Sequence, residues 1–248
     1  MTELQELIAA NAPLWAGEAE VFRTYWDWSG RTRQTDLRWI AGQCYKELYD
    51  GFVPRLDQLS REFGEIERGR TPAMVLEAAE GVYQELAHYC AFADAYDAVR
   101  GDEPPLDLDI LSNWKENAEL GALRARHRRD HGEIGARAQA FTEGGYCTLY
   151  SEGMRLGPDD PIAKACSVVY DDEWEHMLHG IAGLEDQGLD PEGWALLRAL
   201  TVEQMRLRIR MRNAQFGYPL TEARLREIDE GNIEPLPFDY RRAGLEAP

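Results

Sequence analysis

The stretch TPAMVLEAAEGVYQELAHYCAFADAYDAV (residues 71–99) sets the fold class. Its apolar residues Val75, Ala78, Ala79, Val82, Leu86, Tyr89 and Phe92 recur at helical intervals, and Thr71-Pro72 opens the run in the favoured order of cap then proline. Inside it stands Glu85-Leu-Ala-His88. Three residues turn a helix through about 300°, so both side chains leave one face roughly a turn apart. That face is the apolar one, because Glu85 and His88 share a row with Ala78, Val82 and Phe92. A carboxylate without a partner in such a row costs several kcal/mol, so it calls for a cation or a hydrogen-bonded neighbour.

Outward from this helix, the same spacing recurs over most of the chain. Alternating β-branched runs bounded by turns do not occur, so the sequence predicts an all-α protein. An irregular helical region is expected from about Glu3 to Trp28. A helix capped near Thr35-Asp36 should then carry Trp39, Ile40, Cys44, Leu48, Phe52, Leu56 and Leu59 on its inner face as far as Gly64, with a kink at Pro54. GDEPPLDLD (101–109) reads as a loop, and a long helical stretch from Ser112 to Leu156 has a candidate break at Asp130-His131-Gly132. Ile162 to about Leu184 forms the next helix, Pro191 opens another towards Gln215, and the last thirty or so residues read as a strap. One helical domain over 1–248 is expected, with a core bundle at about 35–185 and a C-terminal helix and strap at 190–248.

The helix at 162–184 repeats the pattern of the first. Glu173-Trp-Glu-His176 lies in a row with Cys166, Val169 and Gly180, so two of the five histidines follow an inward glutamate by three residues. Two further carboxylates fall in register. Glu143 stands about 14 residues before the end of its predicted helix and Glu173 about 12 after the start of the next, each roughly 20 Å from the shared turn. Glu47 matches Glu85 in the same way across the turn at Gly64, with the small neighbours Cys44 and Gly51 leaving room beside it. Asp50 and Asp57 compete by spacing, but lie among Gln43, Lys46, Ser60 and Arg61, a face that reads as solvated.

Four carboxylates and two imidazoles from four helices suit two divalent iron or manganese ions. In order and interval, Glu47, Glu85-x-x-His88, Glu143 and Asp172-Glu173-x-x-His176 resemble the dinuclear site of the ferritin-like superfamily. The resemblance covers about residues 35 to 185. It implies a ferritin-like four-helix bundle with additional N- and C-terminal helices and a di-iron or iron/manganese cofactor. It also implies a metal site of Glu47, Glu85, His88, Glu143, Glu173 and His176 that reacts with dioxygen or peroxide. The haem-oxygenase-like di-iron oxidases are a second resemblance, through Glu85/His88, Glu143 and Asp172/His176; there Asp172 replaces Glu173 as ligand and Glu47 need not bind. Glu143 and Tyr146 are the candidate catalytic residues, with Tyr150 and Tyr170 also near the expected metal and His179 one turn beyond His176.

Charge limits the partners. With 27 Lys and Arg against 45 Asp and Glu the net charge is −18, which repels nucleic-acid phosphates and anionic lipid. No run of about 18 apolar residues exists and the acidic N-terminus does not read as a leader, so a cytoplasmic protein is expected. Cys44, Cys90, Cys147 and Cys166 form no C-x-x-C pair and read as reduced core residues. The one basic cluster, Arg124 to His131, reads as a solvated face paired with acids, or more sharply as a dock for an anionic substrate or carrier.

The function expected is that of a dinuclear non-haem iron oxygenase or oxidase acting on a small organic substrate with dioxygen. Its further partners are an electron donor and a second copy in a homodimer. A ferroxidase or peroxide scavenger, and a metal-free structural subunit, are the alternatives.

Overall fold

The computed structural model describes residues 1–64, 72–111, 114–143, 145–181, 184 and 188–248, with the backbone alone at 110, 179 and 180. The described residues form helices, turns and coil and no strand, as the spacing predicts. Among the described residues nine α-helices run in chain order: α1 (Glu3–Trp26), α2 (Arg33–Tyr45), α3 (Val53–Gly64), α4 (Pro72–Arg100), α5 (Lys115–Glu143), α6 (Thr148–Met154), α7 (Pro161–Ile181), α8 (Pro191–Gln215) and α9 (Glu222–Asp229). None is long and apolar enough to cross a membrane. The chain divides into two compact units. One comprises Met1–Arg31, Asn113–Glu152 and Glu173–Pro248; the other comprises Thr32–Ser112 and Gly153–Asp172.

In the first unit α8 is the central element, packed against both α1 and α5. Asp190 caps it by accepting from the Gly193 N–H at 2.8 Å, and Pro191 opens it as the sequence predicts. Its buried row of Trp194, Leu197, Leu200, Met205 and Ile209 meets Leu7, Leu14, Trp15, Phe22 and the other buried residues of α1 in one core. The expectation of an irregular N-terminal region is corrected, because α1 is one continuous helix through Pro13. Pro13 lacks the N–H that would pair with the Ala9 carbonyl, and Ala9 is exposed, so water can take that acceptor. The apolar face along α1 outweighs the propensity cost. Also absent from the sequence reading is α9, which rests on Gly17 of α1, where a β-carbon would stand 2.4 Å from Ile228 Cγ2.

The remainder of the C-terminal segment is the expected strap. Leu236 N–H donates to the Ala12 carbonyl at 3.1 Å, Phe238 stacks on Tyr146 with ring centres 5.2 Å apart, and the Arg242 guanidinium lies 4.4 Å over the Trp174 ring.

The stretch expected as a single helix from 112 to 156 is two helices joined by a short turn. The anticipated break at Gly132 exists as a kink (φ 53°, ψ −122°). A second break follows Glu143, where Gly145, Tyr146 and Cys147 all take left-handed φ values of 53°, 55° and 56°. Arg208 holds the end of α5 by donating from Nη1 to the Glu143 carbonyl at 2.6 Å. A β-carbon on Gly145 would stand 2.3 Å from Glu18 Oε2 and 2.5 Å from Arg208 Nε. Gly145→Ala should therefore cost about 1–3 kcal/mol in backbone strain before any displacement of these groups. The expected result is a fall in Tm of about 2–12 °C, read by thermal unfolding.

In the second unit α4 packs against both α2 and α3. Thr32, three residues earlier than expected, caps α2 in a reciprocal capping box with Thr35. Thr71 lies outside the described residues. Where a kink at Pro54 is expected, residues Lys46–Phe52 wind as a π-helix instead and pass directly into α3. Val53 N–H reaches back to the Leu48 carbonyl, and the wider turn makes room for a proline that has no N–H to donate. The expected inner face of this helix stops at the π segment, since Leu56 is exposed and no residue of α3 is buried.

Candidate metal centre

The π-helical winding determines where Glu47 points. The segment places its carboxylate in the interior, beside α4, whereas Asp50, also in that segment, is exposed. Gln43, one turn earlier on α2, is buried and donates from Nε2 to Glu47 Oε1. This amide is corrected from solvated to buried; its signal in the sequence was a polar residue four positions before an inward glutamate, the spacing of helix neighbours.

His88 is fully buried on α4. Its Nε2 lies 3.0 Å from Asp172 Oδ2, and its Nδ1 lies 3.6 Å from Glu47 Oε2. A ring held by a carboxylate on one nitrogen, with the other facing a second carboxylate, has the arrangement by which metal-ligating histidines are oriented. Glu173 directly follows Asp172 on α7, is buried, and has Oε2 at 3.8 Å from Nδ1 of the partly exposed His176.

Glu85 is buried as expected but belongs to a different pairing. Arg55 of α3 donates from Nε to its Oε1 at 3.0 Å. Its other oxygen packs against the backbone at Gly51, where a β-carbon would be 2.2 Å away.

Two expectations are corrected. Glu143 is exposed at the last residue of α5, so the inward carboxylate inferred from matched helix heights is not there. The height argument assumed an uninterrupted helix beyond residue 143, and the left-handed backbone from Gly145 ends it. Tyr146 is occupied with the strap: its hydroxyl donates to the Pro237 carbonyl at 3.1 Å and accepts from Asp239 N–H at 2.7 Å, and its ring stacks on Trp15 and Phe238. Tyr150 is buried, and the side chain of His179 lies outside the described residues.

Among the cysteines, Cys44, Cys147 and Cys166 are buried while Cys90 is exposed, against expectation. Burial pushes the Cys44 thiol well above its ordinary value and nearby Glu47 adds to the effect. In the basic cluster Arg124 and His127 are buried rather than solvated; His127 lies against Gln204 and Glu203, while Arg126 pairs with Glu203 at the surface.

The gathered donors are carboxylate oxygens and an imidazole nitrogen, a set that suits a divalent cation better than a soft metal such as copper(I). No protein-family model, no curated protein and no solved structure matches the chain.

Proposed function

We propose that this protein is a non-haem iron enzyme of ferritin-like type, an oxygenase or oxidase that uses dioxygen on a small organic substrate. The observation that carries the reading is His88, fully buried between the carboxylates of Glu47 and Asp172. An imidazole held between two carboxylates supports the reading of a divalent-cation site in a helical protein. When bound, ferrous iron supplies the one-electron chemistry that dioxygen requires.

The chain's own residues do the rest. Glu47 would bind the cation and supplies negative charge, and Gln43 fixes the rotamer of Glu47. Asp172 orients the His88 ring by accepting the hydrogen bond of its Nε2–H, and Nδ1 would be the ligating nitrogen. Phe92, one turn beyond His88, and Val169, about one turn before Asp172, are fully buried and keep water from that end of the site.

The test is anaerobic reconstitution with ferrous iron, followed by dioxygen exposure with optical absorption and oxygen uptake recorded. The expected result is stoichiometric iron, uptake matched to it, and an absorption change in the near ultraviolet or visible range. Uptake should be unchanged in Glu143→Ala, whose side chain is exposed. Oxidation of many ferrous ions per chain would favour iron handling, and a chain that takes no metal would leave a structural helical protein.

A further inference from the structure

We infer that Arg55 occupies, on Glu85, the charge position a second metal ion would need, so that the centre takes one divalent cation per chain. This rests on the reading of the site as a metal centre and specifies its nuclearity. A dinuclear carboxylate site on four helices needs a carboxylate from each of the four and a histidine from two of them. Here the Glu85 carboxylate is already satisfied by a cation from the protein, with Arg55 Nε at 3.0 Å from Oε1.

The placement is built into the fold at three points. Arg55 comes two residues after the start of α3, directly after the π-helical segment that presents Glu47. Its guanidinium lies along α4 over Gly81, one turn before Glu85; a β-carbon there would be 3.1 Å from Nη1 and 3.2 Å from Cδ, so a larger residue would crowd it. Gly51 lets the Glu85 carboxylate lie against the backbone of the π segment, where any side chain would displace it.

An arginine stays protonated at every working pH, so it acts as a permanent substitute for an ion and does not dissociate.

The experiment is a titration with Mn²⁺, following free and bound ion by electron paramagnetic resonance, on the full-length wild type, Glu85→Gln, Arg55→Gln and Arg55→Lys. Circular dichroism of each variant checks that it is folded. The wild type should bind one Mn²⁺ per chain with the spectrum of an isolated ion. Glu85→Gln should keep that ion with its affinity within about tenfold, the lower edge of an outer-sphere effect. Arg55→Gln should gain a second ion and an exchange-coupled signal, while Arg55→Lys stays at one. Two coupled ions in the wild type would overturn the inference and leave the metal centre standing, and so would a loss of about 100-fold or more in Glu85→Gln. A single ion in Arg55→Gln would overturn the role of Arg55. No binding by the wild type would overturn both readings.

Discussion

Glu18→Ala should lower the stability of the protein by about 3–5 kcal/mol, the cost of breaking a buried ion pair from one side. Glu18 is fully buried on α1. Its Oε1 accepts from Arg208 Nε at 2.7 Å and from Arg212 Nε at 3.3 Å, and its Oε2 accepts from the Thr148 hydroxyl at 2.7 Å. Removing the carboxylate leaves two guanidinium groups, each nearly without exposure, facing each other in the interior. Arg208 would keep the Glu143 carbonyl and Arg212 would keep the Gln215 amide oxygen, at 2.7 Å, but neither partner carries charge. Arg208 is shifted in agreement with this picture: desolvation works to lower its pKa, yet the Glu18 charge, with contributions from Tyr150 and Glu173, raises it above the ordinary arginine value. A domain holds only about 5–15 kcal/mol in total, so the loss is a large fraction. Urea unfolding of wild type and Glu18→Ala measures it. A loss below about 1 kcal/mol would be the behaviour of a surface pair and would contradict the buried network.

His88→Ala should abolish metal-induced stabilisation. Losing an outer-sphere partner weakens a metal site by about 10–100-fold, and losing a ligand should reach the upper end or exceed it. A ligand present at about 100 times its Kd stabilises the folded state by about 2.7 kcal/mol. For a chain of this length that corresponds to a rise in Tm of about 5–10 °C on adding ferrous or manganous ion. The wild type should show the rise and His88→Ala should not. Because the substitution also leaves the Glu47 and Asp172 carboxylates without the imidazole, the metal-free variant should itself melt below the metal-free wild type. Comparing each protein with its own metal-free form separates the two effects. An equal rise in both proteins would remove His88 from the site.

The all-helical character, the α8 start at Pro191, the loop at 101–109 and the break at Gly132 were legible because each rests on local chemistry: apolar spacing, a helix-opening proline, or glycine backbone freedom. The burial of Glu47, Glu85, His88 and Glu173 was legible for the same reason, since a polar residue in an apolar helical row goes inside with that row. Glu18, Arg208 and Arg212 carry the same signal on α1 and α8 and could have been found by applying it to arginine as well as to histidine. The basic stretch at 124–131 was misread for a related reason. Its Arg124 and His127 lie one helical turn apart, and only the packing of α5 on α8 shows that they face inward.

Sequence alone therefore determined that Glu47, Glu85, His88 and Glu173 are buried, because helical periodicity is fixed by backbone geometry and a polar group in an apolar row follows its neighbours. It did not determine which buried charges meet. Whether Glu85 faces a metal or Arg55, and whether Glu143 points inward or out, depends on a π-helical turn at 46–52, on three left-handed residues at 145–147 and on the guanidinium that closes the end of α5. Those features redirect a side chain by part of a turn, and ion pairing is decided at that scale of distance.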